Sequence, residues 1–464
     1  MHKVAVLNAV GLTPGLIGAH TPRLAAWRAR GEAARIQPML PSVTCSVQST
    51  YLTGQPPSGH GIVANGWYFR EMDEIKFWRQ SNRLVQGPKL WETLKARDPS
   101  FTCANLFWWY AMNSEADFFA TPRPIYRADG VKAPDVLTAP MALREQLQAE
   151  LGPFPLFEFW GPNTTIRSTE WIAAAAKKVA ELHDPTLTLV YLPHLDYNLQ
   201  RVGPDAPVIA EDLRDLDRLC GDLIDFFEAR GTRVLLLSEY GIEAVNRPVS
   251  LNRILRREGY LTVREEMGGE ILIPSMSRAF AVADHQVAHI YVRHPEDLPA
   301  VRKLLEAVPG VARILDAAEM AGEGLQHGRS GELLAIAEPG AWFTYYYWLE
   351  DDRAPDFGPT VDIHNKPGYD PAELLFDPAL RFPKLRAARR VLQKKLGFRY
   401  TMDVIPLSGE GVKGSHGRVL EDPDLHPVLI SGEKGLLPGE EIPPTDVYGI
   451  LLAAVTGADG TSVQ

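Results

Sequence analysis

Thr44 follows a Pro41-Ser42 turn and heads a small, polar run, Cys45 to Thr53, that closes on Gly54. A hydroxyl at a helix start stands beside backbone N–H groups that have no partner within the first turn. An incoming phosphate would there meet both a nucleophile and the positive end of the helix dipole. The same residues also suit a plain helix cap, with Ser42 or Thr44 only closing the end. Other groups able to do chemistry stand far along the chain: Asp196 and Gln200, Glu239 and Tyr240 within Ser238-Glu239-Tyr240-Gly241, and His416 within Gly414-Ser415-His416-Gly417. A glycine-flanked imidazole serves packing poorly, so His416 is expected to act chemically.

Most of these groups sit at the exit of an apolar run. Residues 4–7 lead into Asn8, 186–192 into the stretch holding His194, Asp196 and Gln200, and 232–237 into Ser238-Glu239-Tyr240-Gly241. Short, β-branched-rich runs of this length read as buried strands, and amphipathic helices are predicted between them at 170–182 and 209–230. Alternation of this kind predicts an α/β layered fold with a mostly parallel sheet, whose ligands gather at the carboxyl ends of the strands. Beyond residue 250 a helix at 252–258, strands at 278–282 and 311–315 and a helix at 296–307 predict a compact inserted unit. A basic helix at 386–396 reads as a solvated face or a lid, and a strand at 427–430 and a helix at 445–452 close the chain.

The composition is that of an ordinary globular protein, 45% hydrophobic and 23% charged over 464 residues. A net charge of −10 argues against a general nucleic-acid or acidic-membrane surface, while leaving room for a local basic pocket. Three widely spaced cysteines give neither a disulfide framework nor a cysteine zinc site. The amino-terminal apolar run is too short for a signal peptide and no stretch is long enough to span a membrane, so a cytoplasmic location is expected.

The motifs together resemble the nucleotide pyrophosphatase/phosphodiesterase family of the alkaline phosphatase superfamily. Pro41-Ser42-Val43-Thr44, Thr53-Gly54 and His60-Gly61-Ile62 are similar to that family's nucleophile segment. Asn65 stands where the family holds the substrate phosphate, and Gly87-Pro88-Lys89-Leu90-Trp91, Ser238 to Gly241 and Gly414 to Gly417 continue the likeness. The resemblance implies an alkaline-phosphatase-like α/β/α core formed by residues 1–250 and 402–464, with 251–401 as a smaller inserted cap. It implies a metal-dependent hydrolase of phosphodiester or pyrophosphate bonds acting on a small phosphate ester, with Thr44 as nucleophile and two divalent ions, zinc or manganese, activating it.

The expected ligand set departs from the family's. Asn8 replaces its first-strand aspartate, Gln200 replaces the histidine paired with Asp196, and Glu239-Tyr240 replace Asp-His; Thr44, Asp196 and His416 keep their family identities. Amides and an un-ionised phenol are poor zinc ligands. Three readings follow. Magnesium, manganese or calcium could be held through Asn8, Thr44, Asp196, Gln200 and Glu239. Other groups could substitute, the candidates being His194, Asp284, His285 and His364; His194, on an extended strand end, would share a face with Asp196. Or catalysis is lost and phosphate or nucleotide binding kept, with Tyr240 donating to a phosphate oxygen. A phosphomonoesterase or phosphonate hydrolase is a further alternative on the same scaffold.

Overall fold

The computed structural model describes residues 1–128, 132–398 and 400–457. Its centre is the strand Val4–Ala9, six residues all buried, which pairs in parallel with Leu187–Leu192 on one side and Arg233–Leu237 on the other. Cys103–Leu106 and Phe118–Pro122 extend the parallel run. Antiparallel strands flank it, Val136–Ala139 at one edge and Val428–Ser431 beside Arg233–Leu237. Glu32–Ile36 and Glu441–Ile442 complete a nine-stranded sheet. The helices Ile166–His183 and Ile209–Glu228 pack together against this sheet. A second group joins Thr44–Thr53, Leu90–Arg97 and Asp446–Thr456. The fold is therefore the expected α/β one with a mostly parallel central sheet.

A four-stranded antiparallel sheet is built from Ala279–Asp284, Val287–Val292, Leu333–Ala337 and Val311–Leu315, in that spatial order. Its own apolar cluster includes Phe280, Ile290, Leu305 and Trp348. The basic segment forms the helix Pro383–Lys395.

One local expectation is overturned. Residues 194–196 are not extended: the helix His194–Val202 begins directly after the strand. Two residues apart on a helix is a rotation of about 200°, so His194 and Asp196 face different ways. Four residues apart is one turn, and Asp196 and Gln200 share a face.

Candidate active site

Thr44 is the first residue of a helix all of whose ten residues are buried, and Gly54 closes that helix in the left-handed conformation. A helix buried on every side needs no amphipathic stripe, which is why its sequence looks featureless. The residue before it, Val43, gives no side-chain cap, so Thr44 begins the helix without itself being the N-cap. The start is instead held by Asn65, whose Oδ1 accepts from Cys45 N at 2.9 Å.

The Thr44 hydroxyl lies 3.1 Å from the Tyr240 hydroxyl, and Tyr240 in turn donates to Asp196 Oδ1 at 3.3 Å. The other Asp196 oxygen accepts from Gln200 Nε2 at 2.7 Å, and Gln200 Oε1 accepts from the Tyr369 hydroxyl at 2.7 Å. Glu239 forms a second set. Its Oε1 accepts from Asn8 Nδ2 at 2.5 Å and from Gln48 Nε2 at 2.6 Å. Strand exits thus bring Asn8, Asp196, Gln200, Glu239 and Tyr240 to the amino end of one helix.

His416 arrives from the far end of the chain. Its Nδ1 meets the Ser42 carbonyl at 2.7 Å, and its ring lies flat on Tyr240, centroids 3.6 Å apart and planes 7° from parallel. Its loop must pass very close to two neighbours. A Cβ on Gly414 would stand 2.0 Å from the Leu199 carbonyl, and Gly417, at φ +119, faces Gln286 N. Only glycine tolerates both.

The hairpin joining Ala279–Asp284 to Val287–Val292 supplies Asp284 and His285. Asp284 Oδ2 accepts from Asn65 N at 2.7 Å, while Oδ1 meets Asn65 Nδ2 at 3.1 Å and His285 Nδ1 at 2.7 Å. His285 stacks on Tyr369 and reaches His416, with centroids 3.6 and 3.8 Å away. Asn65 is thus held between the Thr44 helix and the second sheet.

The remaining candidates lie apart. His194 points to Asp212 on the long helix, Nε2 to Oδ1 being 3.4 Å. His364 lines an adjoining chamber and not the slot around Thr44; burial lowers its imidazole to about 4. Sequence reasoning missed Gln48, although it lies one turn after Thr44 and so on the same helix face. It also missed Tyr369, which carries no signal because it stands in an irregular, proline-rich passage.

Burial dominates the electrostatics. It raises the Asp196 carboxyl to about 7 against the pull of Gln200 and Tyr240, and Glu239 to about 8 against that of Gln48, Asn8 and Thr44. Asp284 is raised to about 6 by the same cause. His285 and His416 are driven well below the usual imidazole value, so both are neutral near pH 7. The phenol of Tyr240 is pushed well up, again by burial. A proton leaving Thr44 has a hydrogen-bonded path through Tyr240 to a carboxylate that titrates near neutrality.

The groups that could hold a pair of divalent metals are partly taken and partly free. Amides and a phenol donate to both Asp196 oxygens and to Glu239 Oε1, whereas Asn8 Oδ1, Glu239 Oε2, His285 Nε2 and His416 Nε2 are buried with no hydrogen-bond partner. One His416 nitrogen is taken by a backbone carbonyl. Among the described residues no group of three or more His, Cys, Asp or Glu side chains is placed to hold a metal ion.

The site thus gathers a helix-start hydroxyl and strand-end carboxyls on an α/β core. Solved structures share its architecture. Murine ectonucleotide pyrophosphatase/phosphodiesterase 5, as an inactive threonine-to-alanine variant in complex with AMP, superposes with a TM-score of 0.59 at 14% identity, over 98% of this chain and 95% of that one. Phosphonoacetate hydrolase from Sinorhizobium meliloti, in complex with phosphonoformate, gives 0.62 at 15% identity over the same shares. The profile of the type I phosphodiesterase / nucleotide pyrophosphatase family matches residues 4–370, and the chain belongs to that family. An uncharacterized pyrophosphatase/phosphodiesterase of Schizosaccharomyces pombe is 25% identical over 227 residues, which is 47% of this chain and 39% of that protein. The matched stretch therefore spans well under half of that relative.

Proposed function

We propose that the chain hydrolyses phosphodiester or pyrophosphate bonds of a small phosphate ester through Thr44. The observation that carries this reading is the Thr44 hydroxyl, set at the first position of a buried helix and hydrogen-bonded to Tyr240 in a slot also lined by Asp196, Gln200 and His285. Thr44 Oγ1 attacks phosphorus, the leaving oxygen departs, and water then releases the phosphorylated threonine. Asn65 sets the helix start, and its remaining amide hydrogen is the donor offered to a phosphate oxygen. In this reading 251–401 is the inserted cap that closes the slot, and 1–250 with 402–464 is the catalytic core.

Hydrolysis of an aryl phosphodiester by the wild type and Thr44→Ala, assayed with zinc, manganese, magnesium and calcium in turn, tests the proposal. Loss of turnover in a folded variant is expected; turnover that survives the change sinks it. AMP and phosphonoacetate, named with the similar structures, are the first ligands to try. A second reading, a phosphate- or nucleotide-binding protein without turnover, is favoured by the two amides that occupy Glu239 Oε1. It predicts a raised melting temperature with AMP and no hydrolysis by the wild type under any of the four metals.

A further inference from the structure

The helix Pro383–Lys395 has two apolar sides. Ala387 and Val391 line a chamber of about 510 Å³. Leu385, Leu392 and Leu396, seven and four residues apart, return to one side of the helix and point away from it, 67%, 56% and 65% exposed. Phe382 and Phe398, just outside the two ends, are 61% and 63% exposed. So many large apolar side chains in one short stretch mark an interaction surface.

The charge of this stretch selects the partner. Six of its thirteen residues are Lys or Arg and none is acidic. Arg386 and Arg390 pair with Asp403. The overall charge of −10 is thus reversed on this one face. Exposed leucines and phenylalanines interleaved with basic residues match the boundary of an anionic lipid bilayer, where the apolar groups enter the headgroup layer and the cations meet lipid phosphates.

The chamber beneath the helix agrees. Trp109, Phe159, Trp160 and Ile363 are walls common to it and to the Thr44 slot, which has a volume of only about 50 Å³. The slot has room for a phosphate group, and the rest of a substrate extends into the larger, mostly apolar space. Tyr126 and Phe157, both exposed, stand among the chamber's lining.

We infer that the helix Pro383–Lys395 docks on an anionic lipid surface, and that the chamber under it takes the apolar chain of a phosphate-bearing amphiphile. The chamber's part in this rests on the proposed hydrolase; the docking does not. The test is flotation of the full chain with vesicles of phosphatidylcholine alone or with phosphatidylglycerol added. The wild type and Thr44→Ala are both expected to float with the anionic vesicles. Leu385→Asp/Leu392→Asp and, separately, Arg389→Glu should bind them about tenfold less or weaker still, with unchanged melting temperatures. Absence of flotation, equal flotation with both vesicle types, or variants that bind like the wild type would each overturn the inference. So would a dimer, seen by light scattering, that the leucine variant abolishes while vesicles leave the wild type untouched. Vesicle binding by an inactive chain would leave the docking standing and remove the hydrolase instead.

Discussion

Two buried acidic groups lie on either side of Tyr369 and are neutralised in different ways. On one side Lys366, fully buried, holds Asp370 at 2.6 Å and Glu373 at 2.9 Å, and Trp160 donates to Glu373. Burial alone would lower the lysine, but the two carboxylates outweigh it and hold the ammonium above its usual value. On the other side Asp196 and Glu239 face no Lys or Arg among the described residues, only amides and hydroxyls. A carboxylate facing a lysine is held in an ion pair and fixes the chain; one facing neutral donors is raised by burial to where it can exchange a proton near neutral pH. The first group is a pin for residues 362–373, and the second is suited to chemistry.

The largest expected effect concerns the uncompensated side. If Thr44 is the nucleophile proposed, Thr44→Ala should lower turnover of an aryl phosphodiester by about a thousandfold or more. Stability should hardly move, which a melting curve would show. The reverse pattern, intact turnover with lost stability, would make Thr44 part of the packing.

Next comes the pin. Lys366→Met leaves two buried carboxyls without their cation and should cost about 3–5 kcal/mol of stability, read by urea unfolding. A cost near zero would mean that both groups are alike after all.

The contrast also has a pH signature. Asp196 and Glu239 have folded values of about 7 and about 8 against ordinary values of 3.8 and 4.5. Their contribution is complete below the unfolded values and lost as pH rises through the folded ones. Buried neutral His60 and His289, lowered to about 3 and about 4 by burial, act in the opposite direction, but only below their ordinary value of 6.5. Between pH 6.5 and 8 stability should therefore fall as pH rises, by about 1.4 kcal/mol per pH unit for each carboxyl still protonated. Glu239→Gln should flatten that slope; an unchanged slope would place the titration elsewhere. Smallest of all, Gln48→Leu removes one of the two amide donors to Glu239 Oε1 and should cost about 1 kcal/mol in the same unfolding assay.

Much of the frame was legible because buried parallel strands have a plain signature. Residues 4–7, 186–192 and 232–237 are apolar runs ended by polar residues, and each proved to be a central strand with site residues at or just past its exit. The helix start at Thr44 could be placed because its segment is continuous in sequence. The strands Glu32–Ile36, second from one edge, and Val136–Ala139, at the other edge, were missed, since half-exposed strands carry mixed residues. The turn into a helix at His194 was also missed: one proline after a strand does not show which way the chain goes next. Tyr369, Asp284 and His285 meet only through long-range packing, and no local pattern encodes that. Residue types at matching positions say what could ligate, but not which of their atoms neighbouring amides already occupy.

Asn65 offers a last consequence. Its side chain grips Cys45 at the start of the Thr44 helix while its backbone and amide grip Asp284 at the tip of the second sheet. Any swing of that sheet would pull on the peptide next to Thr44. If Thr44 acts as proposed, opening and chemistry are geared together: a cap lifted to admit substrate would leave its hydroxyl misaligned until it returned.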